Sequence, residues 1–146
     1  IRKSFHPEKL EVHYAVYDFK GNPIHIIYGD GTEEVIVWGY KGRYPVALIQ
    51  GADYDEVLDA LNIAPDSLSM RATPDMDLLN SLRTLLPHAL VTTYTYQPEV
   101  GLTSITDADG RTTSYEYNNK GELTTERNHE GEVVKRYAKH YRTPKQ

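Results

Sequence analysis

The chain has 146 residues, a formal net charge of -5, 39% hydrophobic residues, 12 tyrosines and no cysteine. That is enough chain for one domain burying about two-thirds of its surface. The missing cysteines exclude disulfides and thiolate-ligated zinc, the dispersed charge excludes a nucleic-acid partner, and no apolar run reaches the roughly 18 residues of a membrane span.

Residues 1–9 are polar, carry Pro7 and read as a lead-in rather than a signal peptide. The first residue is Ile1, not Met, which points to a processed product or a piece cut from something longer. Leu10, Val12, Tyr14 and Val16 then alternate with Glu11, His13 and Ala15, the period of a strand with one face buried. Asp18 and Gly21 to Pro23 turn the chain. Ile24, Ile26 and Tyr28 form the next alternating face, and Gly29-Asp30-Gly31 turns it again. A third strand runs from Val35 to Tyr40 with Ile36, Trp38 and Tyr40 on one face. Lys41-Gly42-Arg43 reverses it into a fourth strand, Pro45 to Gln50.

Composition changes at Asp53, which with Glu56 makes a capping box for a helix whose stripe is Tyr54, Val57, Leu58 and Leu61. Asn62 and Pro65 end it. Thr73-Pro74-Asp75 reads as a cap followed by proline at the first helical position. Leu78, Leu79, Leu82, Leu85 and Leu86 give this second helix its apolar face, and Pro87 stops it. The pair, residues 53–86, reads as an insert laid against the sheet. From Leu90 strands resume as one sentence written twice, Tyr94-Thr-Tyr96 to Gly101 and Tyr115-Glu-Tyr117 to Gly121, about 21 residues apart. Glycines at 101, 110, 121 and 131 separate runs of Thr, Tyr, Val and Leu, so each marks a hairpin reversal. The tail from Lys135 to Lys145 gathers positive side chains and reads as a solvated end.

The predicted fold is mainly β (α+β): an antiparallel β-meander of hairpin repeats with a two-helix insert. It is one domain with a first block at 10–50, the insert at 53–86 and a second block at 90–141. Asp18, Gly21, Gly31, Gly42, Gly101, Asp109, Gly110, Gly121 and Gly131 are the turn residues.

Chemistry is sparse. Asp107-Ala108-Asp109-Gly110 lacks the spacing of a calcium loop, with Thr112 where the glycine belongs and Asn118 at the twelfth position. His6, His13, His25, His88, His129 and His140 show no metal spacing, although His13 and His25 fall near each other across the first hairpin. Glu33-Glu34 and the helical acids Asp53, Asp55, Glu56 and Asp59 read as solvated charge. No serine lies in a nucleophile elbow. Catalytic residues, metal ligands and cofactors are therefore not expected. The aromatic side chains Trp38, Tyr40, Tyr44, Tyr115 and Tyr117 remain as ligand-binding candidates, because exposed rings stack on the apolar faces of sugars; their alternative role is the sheet's own packing.

Tyr17-Asp18-Phe19-Lys20-Gly21-Asn22-Pro23-Ile24, Tyr117-Asn118-Asn119-Lys120-Gly121-Glu122-Leu123 and Asp107-Ala108-Asp109-Gly110-Arg111-Thr112 together resemble the RHS/YD-repeat family. The order Trp38 to Pro45, helical insert, Val91 to Tyr96 is similar to the C-terminal module of large RHS-type proteins of Bacteroidetes bacteria. The resemblance implies a non-enzymatic structural or interaction module at the end of a secreted or cell-surface repeat protein, with upstream repeats as partners. It also implies two alternatives: a carbohydrate-binding module, or a segment of a toxin-associated β-shell. The Asp-Pro pairs that some relatives use for self-cleavage are missing, since Ala108 follows Asp107 and Gly110 follows Asp109. Cut from a longer array, such a piece leaves strand edges able to pair into a homodimer.

Overall fold

The computed structural model describes residues 11–137, so the lead-in, Leu10, His6, His140 and most of the basic tail lie outside the described residues. Nine strands follow in sequence order, each hydrogen-bonded to the next. They are β1 (Val12–Tyr17), β2 (Pro23–Tyr28), β3 (Glu33–Gly39), β4 (Tyr44–Gln50), β5 (Leu90–Gln97), β6 (Gly101–Thr106), β7 (Thr112–Tyr117), β8 (Leu123–Arg127) and β9 (Val133–Arg136). Helices α1 (Tyr54–Leu61), α2 (Pro65–Ser69) and α3 (Met76–Leu85) stand between β4 and β5. The antiparallel meander and its helical insert are thus as the hydrophobic alternation and cap signals require. The chain divides between Thr93 and Tyr94 into two compact units, and β5 runs from the first into the second.

In the first unit the register assigns the faces. His25 pairs with Val35, Val35 with Ile49 and Ile49 with Val91, while Val37 pairs with Ala47 and Ala47 with Thr93. Residues directly opposite share a face, and on this one Val35, Val37, Ala47, Ile49 and Val91 are inaccessible to solvent. A register shift beside Val37 leaves Val46 out of the ladder, and Val46 is buried as well. The helices supply Val57, Leu61, Leu68, Leu79 and Leu82 to the core. They cover this face: the Tyr54 ring stacks on His25 at 4.5 Å, and Pro74 lies close against Gly39. At 8, 5 and 10 residues the helices are too short to persist alone; each buried Leu or Val contributes about 1.5–3 kcal/mol that holds them in place.

Several sequence expectations change here. The alternating side chains of β1 are exposed at Val12 and Tyr14, because β1 has one strand neighbour among the described residues and lies outside the helix-covered strands. Alternation specifies an extended strand, not what covers it. β3 ends at Gly39, so Tyr40 leaves the Trp38 face and sits at φ 54 in the turn. Pro65 does not merely stop α1; it opens the short helix α2, where its missing N–H costs nothing. The cap of α3 is Asp75, whose Oδ1 accepts the Leu78 N–H at 3.1 Å, rather than Thr73. Leu85 points outward and Leu86, just past the helix, is buried instead. His13 pairs with Ile27 and His25 with Val16, so the two histidines do not meet.

The second unit is built differently. Among its described residues only Thr125 is buried, and it contains no helix of its own. Cross-strand polar pairs hold it: Thr95 with Thr103 at 2.7 Å, Thr106 with Thr112 at 2.8 Å, and Arg127 with Glu116 at 2.8 Å.

Candidate functional site

One device closes four of the hairpins. Asp18, Asp107, Asn118 and Asn128 each use the backbone N–H to bond the carbonyl four residues on, and each accepts the N–H of the glycine three residues on. Their side-chain oxygens then accept the backbone N–H groups two and four residues ahead at 2.9–3.0 Å. Gly21, Gly110, Gly121 and Gly131 hold left-handed backbone at φ 79–85, which glycine adopts without strain. These are three-residue hairpin loops in which the glycine forms the bulge after a tight turn. The turn at Gly31 has the same backbone bonds with Tyr28 in first place, and Asp30 receives Thr32 instead. Asp109, chosen from the sequence because it precedes a glycine, faces solvent near Arg111; the bonding carboxylate is Asp107. Gly101 opens β6, and the left-handed residue of that turn is Glu99 at φ 68. Gly101 makes room for Tyr117 instead: a Cβ there would stand 2.6 Å from the Tyr117 hydroxyl.

Asp18 differs from its counterparts. It is 7% exposed, and its Oδ2 accepts the Ser69 hydroxyl at 2.7 Å and the Asn22 amide at 3.0 Å. Burial pushes its carboxyl up, but these bonds, with those from the Asn22 and Lys20 N–H groups, hold it below the usual carboxylate value. The first repeat turn is thereby fastened to α2.

The aromatic candidates are divided between the two units. The Trp38 indole N–H donates to the Pro23 carbonyl at 2.8 Å, and Tyr40 is buried edge-on against Tyr44, ring centroids 5.6 Å apart. Arg43 sits over the Tyr44 ring at 5.7 Å. In the second unit Tyr117 donates to the Leu102 carbonyl at 2.7 Å, and Tyr115 is half-buried in the same strand. Burial raises the phenols of both; for Tyr115, Glu126, Tyr137 and Tyr117 add to the effect.

Not foreseen from the sequence is a cleft of about 470 Å³ lined by Tyr28, Thr32, Glu33, Glu34, Gln50 and Gly51. Glu34 accepts the Tyr28 hydroxyl and the Gln50 amide, each at 2.8 Å. The bond to Glu34 pushes the Tyr28 phenol up to about 12, with burial and the charge itself adding to it. Glu33 turns the other way, accepting the Tyr54 N–H at 3.2 Å and standing 2.8 Å from His25 Nε2. The available signal was parity: Glu34 and Gln50 are direct cross-strand partners. Among the described residues no three His, Asp or Glu side chains group as a metal site, and no helix is long and apolar enough to cross a membrane.

A sheet of hairpins, four of them closed by the same Asx-and-glycine turn, defines a repeat protein. Residues 98–133, which contain three of those turns, match the family model described as RHS Repeat, and this match supports an RHS/YD-repeat family for that segment. No curated protein matches the chain.

Proposed function

We propose that this chain is a non-enzymatic structural and interaction module at the end of a larger secreted or cell-surface repeat protein. The carrying observation is the second unit, where identical turns order β6 to β9 while almost no side chain is buried. Hairpin repeats of this kind complete their cores by stacking on neighbours, so upstream repeats of the parent protein are its natural partners. RHS repeats are structural and typically occur in surface or secreted proteins, which supports a non-catalytic role outside the cell. The side chains of the cleft bond chiefly to one another and to backbone, as scaffold groups do. In isolation, the exposed Val133 and Val134 of β9 favour an edge-mediated homodimer. Amide exchange tests the reading: β6 to β9 should exchange markedly more slowly in the parent protein than in this chain, and equal rates would sink it.

A second reading is a carbohydrate-binding module, supported by the half-exposed Tyr115 and Tyr117 on one face of β7. A glycan array decides it. Binding by wild type that is lost in Trp38→Ala or Tyr117→Ala supports this reading, and no binding removes it.

A further inference from the structure

Of the five Lys and Arg residues between 11 and 93, Lys20, Lys41, Arg43 and Arg71 stand at one corner of the first unit and only Arg83 lies elsewhere. Asn22 Nδ2 donates to the Gly42 carbonyl at 2.7 Å, joining the two turns, and Lys41 N–H donates to the Arg71 carbonyl at 2.8 Å. The Lys20 stem crosses Gly42 so closely that a Cβ there would meet it at 2.9 Å. All four cations are exposed. Two large apolar side chains project among them: Phe19, 51% exposed at a hairpin tip, and Met70, 55% exposed at the end of α2. They are held together, since Asp66 accepts the Phe19 N–H on its side chain at 2.7 Å and the Met70 N–H on its carbonyl at 3.3 Å. Tyr17, just before the hairpin tip, is also exposed. The backbone is strained here as well: Tyr40 (φ 54), Lys41 (φ 60) and Gly42 (φ 78) are three successive left-handed residues, and such outliers gather where a surface has work to do. Among the described residues, the opposite ends of the same strands carry Glu11, Asp30, Glu33, Glu34 and Asp53 and no Lys or Arg.

We propose that this corner docks on an anionic lipid surface, Phe19 and Met70 entering the interface while Lys20, Lys41, Arg43 and Arg71 meet the headgroups. Exposed apolar side chains rimmed by charge mark interaction sites. Apolar groups on projecting tips fit a bilayer, whereas a protein partner would have to offer them pockets and a nucleic acid has little to give a methionine. Apolar insertion plus basic charge are the two signals that membrane attachment needs. Of the nearby carboxylates, Asp18 is buried, while Asp66 is exposed and subtracts from the local charge.

The net charge of -5 makes indiscriminate binding to anionic vesicles unfavourable, which sharpens the test. The full chain is sedimented with phosphatidylcholine vesicles and with vesicles that also contain phosphatidylserine. It should pellet only with the latter, and less at high salt. A Lys20→Glu/Lys41→Glu variant should lose at least ~10-fold of the partitioning, and Phe19→Ser/Met70→Ser should lose most of it. These side chains are exposed, so the variants are expected to fold, and matching melting curves verify this. Absence of serine-lipid-dependent pelleting overturns the proposal. So does pelleting that survives both variants, which would move the binding to the basic tail.

Discussion

Asp18 shows what a single carboxylate contributes when its surroundings change. In the turns at 118 and 128 asparagine makes the same two backbone bonds. Asp18→Asn can therefore keep the turn yet turn an amide N–H toward Ser69 or Asn22 in a buried place. The expected cost is about 1–3 kcal/mol, whereas Asp107→Asn, in an exposed turn, should be nearly neutral; chemical denaturation compares the two. Because the Asp18 carboxyl lies below its ordinary value in the folded protein, its contribution is complete above the unfolded value of about 3.9 and fades as pH falls through the folded one. Melting curves of wild type and Asp18→Asn should accordingly converge as pH drops below 4. A gap that stays constant would remove the charge from the account. At Tyr28 the sign is opposite for the phenol: the bond to Glu34 favours its protonated form. Glu34→Gln should return Tyr28 from about 12 toward its ordinary 10, read as phenolate absorbance on alkaline titration.

Among the elements, glycines that look alike in the sequence act through different physics. Gly121 has open space about it but φ 79, so Gly121→Ala should cost the left-handed penalty, about 1–2 kcal/mol. Gly121→Asn should cost less, since asparagine tolerates that region. Gly101→Ala should be costly through collision with the Tyr117 hydroxyl. Combining Gly101→Ala with Tyr117→Phe should then recover part of the loss, which a double-mutant cycle measures. Additive effects would place the cost of Gly101→Ala elsewhere. Both glycines stand in the repeated segment, yet Gly121 serves by its left-handed backbone and Gly101, which opens β6, by the room it leaves for Tyr117.

The whole molecule is uneven in how it is held. Among the described residues the buried apolar side chains lie between Ile24 and Val91, while β6 to β9 rest on hairpin turns and cross-strand polar pairs. Local stability follows buried contact, so amides of Val35, Val37 and Ile49 should be the slowest to exchange in the isolated chain and those of β7 to β9 among the fastest. Leu82→Ala, leaving a cavity under α3, should cost about 2–5 kcal/mol and accelerate exchange across β3 and β4 first.

Strand existence, turn positions and the helical insert were legible in the residues because they depend on local rules: side chains alternate in a strand, and glycine or Asx closes a tight turn. Those rules act over a few neighbours, so Gly21, Gly110, Gly121 and Gly131, the span of α1 and the existence of α3 could be read directly. Which alternating face is covered and where Leu85 points depend on contacts between distant segments. The same holds for the Tyr28–Glu34–Gln50 cleft, the Asp18–Ser69 bond and the corner of Phe19, Lys41 and Arg71. Tyr28 and Glu34 aside, they join positions 16 to 52 residues apart in the chain, and only the tertiary structure, by choosing the register and the packing of the helices, brings them within reach of one another.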